Sequence, residues 1–239
     1  MDNYEVFAPF YDAVLGGRKE RVTEYIAPLL KEHAPQASSV LEMACGTGNI
    51  MGLLKDEYEI AGFDLSPGMV EVAKQKFPNV DISVADMTDF DLGRTYDVIL
   101  CLFDSINHLA SFDEWKKTFI CAQKHLNADG ILLFDMNTGT QFGMYRGKEP
   151  MGRECGDDYA LLQCIAGAND NEVFWNFKIF AKEDDGKFTL HEEHIRERTH
   201  PMQDVQDALN EIFSSVSVFA EDEDNPSDKT ERLYFVCTK

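Results

Sequence analysis

Val40-Leu41-Glu42-Met43-Ala44-Cys45-Gly46-Thr47-Gly48-Asn49 is the stretch on which the fold turns. An apolar run leads to an acidic residue, and two glycines follow it. Glycine lets the backbone leave a strand through a tight turn and approach a ligand without a Cβ clash. A dinucleotide-binding turn would carry a third glycine three residues after Gly48. Met51 stands there, and Gly52 comes one position late. Glu42, four positions before Gly46, is what distinguishes this turn.

Outward from that turn a rhythm repeats. Tyr58-Glu59-Ile60-Ala61-Gly62-Phe63 ends at Asp64, Val80–Ala85 at Asp86, Tyr96–Leu102 near Asp104, and Gly130–Phe134 at Asp135. Each run is expected to lead into a helix, with patterns over about 48–56, 67–77 and 112–126. Strands alternating with helices predict five successive β-α-β units, an α/β chain with a mostly parallel sheet. Ligands of such sheets bind at the carboxyl ends of the strands, where these acidic residues fall.

On the amino-terminal side, apolar spacings of three and four predict one helix over Tyr4–Leu15, ended by Gly16-Gly17, and a second from Arg18 to Glu32 that Pro28 kinks or shortens. After Asn137 the rhythm breaks into a glycine-rich loop (Gly139, Gly143, Gly147, Gly152, Gly156). Tyr159–Gly167, Glu172–Lys182 and Lys187–Thr199 follow, separated by turn residues, and predict a three-stranded antiparallel meander. A helix over Met202–Phe213 and strands at Val216–Ala220 and Arg232–Cys237 complete a seven-stranded sheet, with Glu221-Asp222-Glu223-Asp224 as a solvated loop. The expected segments are thus 1–137 (amino-terminal helices and ligand-binding core), 138–200 (antiparallel insertion) and 201–239 (last helix and strands of the core sheet).

Charge and composition narrow the function. The 239 residues carry 22 Lys and Arg against 43 Asp and Glu, a net charge of −21, with no basic cluster longer than Arg18-Lys19. A nucleic-acid partner needs a basic footprint to displace phosphate counterions, so none is expected. No run reaches the ~20 apolar residues of a membrane span, and Met1–Glu5 has no basic start before an apolar block, so a cytoplasmic protein without a membrane partner is expected. Six cysteines without a C-x-x-C pair read as reduced thiols. His191 and His194, three apart on a strand, point to opposite faces, so no metal site is expected.

Four turns together resemble class I S-adenosylmethionine-dependent methyltransferases with a Rossmann-like core. Glu42-x-x-x-Gly46-x-Gly48 is similar to the family's first motif, and Asp64-Leu65-Ser66-Pro67-Gly68-Met69 to its turn after the second strand. Val84-Ala85-Asp86-Met87 and Phe103-Asp104-Ser105-Ile106-Asn107-His108-Leu109 follow in the expected order, so the likeness covers roughly residues 4–137. It implies S-adenosylmethionine as cofactor, S-adenosylhomocysteine as product, and a methyl group transferred to N or O of a small-molecule acceptor. Asp64 would accept hydrogen bonds from the ribose hydroxyls, being a bidentate acceptor when ionised. Asp86 would face the adenine amino group, with Leu65 and Met87 walling the ring and Ser66, Met69 and Ala85 beside it. The Ala44-Cys45-Gly46-Thr47-Gly48 backbone and Glu42 would hold the methionine portion, flanked by Leu102, Phe103, Tyr4 and Tyr11. For Asp64 and Asp86 the competing explanation is helix capping; for Cys45, which has no neighbouring base, packing is favoured over nucleophilic attack.

On the acceptor side, Ser105-Ile106-Asn107-His108-Leu109 is similar to a stretch of sugar-amine N-methyltransferases whose histidine faces the acceptor. An imidazole titrating near ~6.5 suits proton uptake at neutral pH. His108 and Tyr11 are therefore the candidate catalytic residues, with packing or capping as the alternative role. The insertion is expected to roof the pocket or to build a homodimer interface. It offers Phe174, Trp175, Phe177 and Phe180 as aromatic surface, and Glu192, Glu193, His194, Arg196 and Arg198 as polar groups. A non-catalytic S-adenosylmethionine-binding sensor or scaffold is the rival reading, and a nicotinamide-dependent dehydrogenase a third.

Overall fold

A computed structural model describes residues 4–16, 21–221 and 223–239. The start of the second expected helix at Arg18, the expected stop at Gly17, Met1–Asn3 and Asp222 lie outside the described residues.

The seven-stranded sheet runs in the order β10-β11-β5-β4-β1-β2-β3. Its strands are β1 (Ser39–Met43), β2 (Glu59–Asp64), β3 (Asp81–Val84), β4 (Tyr96–Cys101), β5 (Leu126–Asn137), β10 (Ser215–Phe219) and β11 (Arg232–Thr238). β1 to β5 pair in parallel, and β11 is antiparallel to both β5 and β10. β1 is buried along nearly its whole length because both faces are covered. Leu41, Ile99, Phe134 and Phe235 pack on one face against α5 (Phe112–His125) and α7 (Met202–Asn210). Val40, Val98 and Leu133 pack on the other against α2 (Ala27–His33), α3 (Asn49–Leu54) and α4 (Pro67–Lys76). Strand order reverses between β1 and β4, and a crevice opens at such a switch point.

The second sheet, order β6-β7-β8-β9, is antiparallel throughout. β7 (Asp158–Ala166), β8 (Glu172–Lys182) and β9 (Phe188–Arg198) match the three expected strands, and β6 (Met151–Cys155) adds a fourth on the edge. The extra strand is largely exposed, with no apolar alternation to betray it. Phe177, Ile179 and Ile195 on the inner face pack on Phe7 and Val14 of the amino-terminal segment.

Other expectations change in detail. Tyr4–Leu15 is not one helix: a 3₁₀ turn (Ala8–Phe10) precedes α1 (Tyr11–Leu15). Proline lacks an N–H and favours helix starts, and Pro9 stands at the start of that turn. Likewise Pro28 sits at the start of α2, preceded by a π-helical turn (Val22–Ile26) rather than within one regular helix. β3 is followed by turns, not a helix, over residues 85–95. β5 starts four residues before Gly130. Within the expected glycine-rich loop lies α6 (Gly139–Tyr145), whose end is satisfied by the Thr138 hydroxyl accepting from the Thr140 and Gln141 N–H groups.

Candidate functional site

The cleft lies beyond the carboxyl ends of β1, β2, β3 and β4, under the amino-terminal segment. It encloses about 840 Å³, its open mouth included. Three strand-end turns supply its floor. Gly46 (φ +54°) and Gly48 (φ +78°) both adopt the left-handed region that glycine tolerates, so the chain turns sharply out of β1. Asp64, at the tip of β2, ties two turns together: Oδ2 accepts from the Gly46 N–H at 2.8 Å and Oδ1 from the Ser66 N–H at 2.9 Å. Burial raises its carboxyl above the usual range against those hydrogen bonds. Leu65, 56% exposed, is an apolar side chain held in the cleft wall.

Of the residues expected to hold the cofactor, Tyr4, Tyr11, Ala44, Gly46, Asp64, Leu65, Met69, Ala85, Asp86, Met87 and Phe103 line this cleft. Glu42, Cys45, Thr47 and Leu102 line an adjoining recess that shares Tyr11, Ala44 and Gly46 with it. Gly48 and Ser66 line neither. A Cβ on Gly48 would meet the Phe77 ring at 3.0 Å. The Ser66 hydroxyl caps α4 by accepting from the Met69 N–H. Asp86 is exposed, with Oδ1 accepting from both the N–H and the hydroxyl of Thr88 at 2.8 Å, so it shapes its own turn.

Glu42 is buried in the sheet centre, and burial, helped by the Asp64 charge, raises its carboxyl well above the usual range. Its Oε2 has no hydrogen-bond partner within the protein. A buried acceptor of this kind calls for a donor. Cys45 is also buried, which pushes its thiol up and makes it a poor nucleophile.

The far wall is built by a strained turn after β4. Phe103 and Asp104 both adopt φ +58°. Asp135 at the heart of β5 holds them there, accepting from the Phe103 N–H at 2.5 Å and the Asp104 N–H at 3.1 Å. Arg232 of β11 pairs with both Asp135 and Asp104. Asn107, fully buried, donates to the carbonyls of Asn137 and Arg198 and so joins the turn to β5 and β9. His108 is thereby fixed at the cleft wall. Its Nε2 lies 3.4 Å from the Tyr4 hydroxyl, and their rings meet edge to face at 5.6 Å. Tyr11 packs edge-on against Tyr4 at 5.8 Å.

Phe63, Asp104, Ser105 and Leu109, which the sequence placed in strand ends and motifs without a role of their own, also line the cleft. Asp12 latches α1 over the first turn, accepting from Thr47 Oγ1 at 2.5 Å and Asn49 Nδ2 at 2.8 Å while pairing with Lys76 Nζ at 2.7 Å. Burial works against that carboxyl, but these donors outweigh it and its pKa is lowered. Glu5 Oε2 makes a second latch by accepting from the Gly68 N–H at 3.1 Å.

Comparison with known proteins agrees with this geometry. Residues 40–130 match the family model described as a methyltransferase domain. A chain of Geobacillus sp. (strain WCH70), provisionally named a methyltransferase, is 26% identical over 99% of both chains. The dTDP-3-amino-3,6-dideoxy-α-D-glucopyranose N,N-dimethyltransferase of Streptomyces fradiae is 33% identical over 54% of this chain, which spans about half (52%) of that relative. The crystal structure of an S-adenosylmethionine-dependent methyltransferase from Clostridium acetobutylicum ATCC 824 superposes with a TM-score of 0.82 at 22% identity, covering 98% of each chain. The chain thus has the class I, Rossmann-like fold of S-adenosylmethionine-dependent methyltransferases, with a methyltransferase domain matched over residues 40–130.

Proposed function

We propose that the chain is an enzyme that N-methylates a small-molecule amine, with S-adenosylmethionine as its cofactor. One observation carries this reading: a single cleft joins the carboxylates at the strand ends to the Tyr4–His108 pair on its far wall. The relative from Streptomyces fradiae, named for an amino-sugar substrate, points the same way.

The cofactor supplies a methyl carbon activated by a sulfonium leaving group. In our reading Asp64 takes the ribose hydroxyls, and Leu65, Met87 and Ala85 enclose the adenine with Asp86 at its edge. Glu42, with its partnerless buried oxygen, receives the amino group of the methionine portion; that orphaned acceptor is what makes the residues fit the group. The Ala44–Thr47 backbone, Met69, Leu102 and Phe103 pack around it, and Gly48 and Ser66 serve by shaping the two turns. His108 takes the proton that the amine sheds as the N–C bond forms and the S–C bond breaks, with Tyr4 and Tyr11 orienting it.

We assign residues 1–137 to the cofactor-binding core with its amino-terminal cover, 138–200 to the acceptor roof and 201–239 to completion of the sheet. No helix among the described residues is long and apolar enough to cross a membrane. A cytoplasmic location, the absence of a nucleic-acid partner and a homodimer remain parts of the proposal. The strong acidity supports the second of these.

The test is release of S-adenosylhomocysteine with a panel of amines and the matching alcohols. His108→Ala is expected to lower turnover on the accepted amine about 100-fold or more, with S-adenosylhomocysteine affinity unchanged within about twofold. Turnover that survives this change removes His108 from the mechanism, and turnover of alcohols alone refutes N-methylation.

A further inference from the structure

Behind the Tyr4–His108 pair, a second set of polar atoms adjoins the wall of the cleft. Asp104 and His108 line the wall from the turn after β4, and Glu197 meets them from β9 in the roof. One oxygen or nitrogen of each lies within 4.8 Å of the other two. Three points so spaced can all be reached from one atom at about 2.8 Å or less, the length of a charge-assisted hydrogen bond.

Strand alternation brings Glu197 there. Ile195, Glu197 and Thr199 are buried along β9 and just past its end, while the residues between them are more exposed. Asn137 donates to Glu197 Oε2 at 3.4 Å, and its own buried Oδ1 has no partner. The Trp175 side chain also hydrogen-bonds Glu197; ionised carboxylates and amide oxygens only accept, so the Asn137 oxygen is still left without a donor. The group is also short of positive charge. Asp104 and Asp135 share one buried cation, Arg232, so an ionised Glu197 leaves two net negative charges in the cluster. Burial next to Asp104 pushes the Glu197 carboxyl up to about 8, as expected where negative charge is in excess.

We propose that Glu197, with Asp104 and the Asn137 amide oxygen, forms an ammonium-binding subsite that selects amine acceptors over their hydroxyl counterparts. The proposal rests on the N-methylation reading above and names the residues that enforce it. An ammonium brings three donors and one charge to a group whose carboxylates outnumber its cation and whose Asn137 oxygen lacks a donor, and the spacing of Asp104 and Glu197 suits N–H···O contacts. A divalent cation would need its ligands drawn in to about 2.0–2.2 Å.

The experiment uses the full chain saturated with S-adenosylhomocysteine, titrated calorimetrically with matched pairs. These are aminohexose and hexose, free and as dTDP conjugates, ethanolamine and ethylene glycol, and benzylamine and benzyl alcohol; Mn²⁺ and Mg²⁺ are titrated alone. At least one amine is expected to bind about tenfold or more tightly than its alcohol. Glu197→Gln, an isosteric and neutral change, is expected to abolish that preference with S-adenosylhomocysteine affinity kept within about twofold. Glu197→Asp keeps the charge and is expected to retain part of the preference, which a purely structural role would not predict. Equal binding of amines and alcohols, no amine binding at all, a preference that survives Glu197→Gln, or micromolar Mn²⁺ or Mg²⁺ binding lost in that variant each overturns the subsite. Failure of the wild type to bind S-adenosylhomocysteine is a different result and overturns the cofactor site instead.

Discussion

Asp64 ties two turns with one carboxylate. Its oxygens already accept from Gly46 and Ser66, so it fixes the distance between the first and second strand-end turns before any ligand arrives. Hydrogen bonds to a charged group contribute about 1.5–3 kcal/mol each way. Asp64→Ala is therefore expected to weaken S-adenosylhomocysteine about 10- to 100-fold and to abolish its thermal protection, read by calorimetry and melting with and without ligand. Unchanged affinity would mean that Asp64 only ties turns. Local motifs made this residue legible, along with Gly46, Leu65 and Ala85, because each lies within a few positions of its strand end. Ser66 was legible only as a motif member; its cap on Met69 shows that the family-like spelling of a turn also encodes the backbone's own needs. Glu197 was not legible. Its partners Asp104 and Asn137 are brought to it by pairing of the roof with the core, and no local pattern reports that.

At the scale of elements, the first turn and α4 are interlocked through Gly48. Its positive φ costs an L-residue about 1–2 kcal/mol, and a Cβ there would press on the Phe77 ring at 3.0 Å and Ala73 at 3.6 Å. Gly48→Ala is expected to lower the melting temperature by several degrees, at roughly 2–4 °C per kcal/mol for a chain of this size. Adding Phe77→Leu should recover the packing part and leave the conformational part. Full recovery would show that φ carries no cost at this position. The same scale explains the misread elements. α6 was hidden by Gly139 and Gly143, yet one Thr138 hydroxyl satisfies two of its first N–H groups. β6 lacks the period-two signal because both its faces are largely exposed, and it exists by pairing with β7.

Across the whole molecule, buried carboxyls set the response to pH. Glu197 binds its proton more tightly in the folded chain than in the unfolded one, so the protonated form supports the fold. That contribution is complete below the ordinary carboxylate range and is lost as pH rises towards about 8. Glu42, Asp64 and Asp135 are raised by burial and act in the same sense. Wild type is expected to melt lower at pH 8.5 than at pH 5.5, and Glu197→Gln to shrink that difference without erasing it. Melting curves at the two values decide the matter; an undiminished slope in the variant would mean that Glu197 is already ionised in the fold.

Periodicity and turn chemistry along the chain determined the parallel sheet, the seven core strands, three strands of the second sheet and the cleft-lining ends of β1, β2 and β3. Those signals are local: burial on both faces makes a strand continuously apolar, and a sharp exit from it demands glycine. Tertiary structure alone decided the rest. It set the Asp12 and Glu5 latches over the first turns, the Arg232 bridge between Asp135 and Asp104, and the meeting of His108 with Tyr4 and Glu197. These are contacts between side chains up to 128 positions apart. Their strength depends on being brought together out of water, which only the packed fold accomplishes.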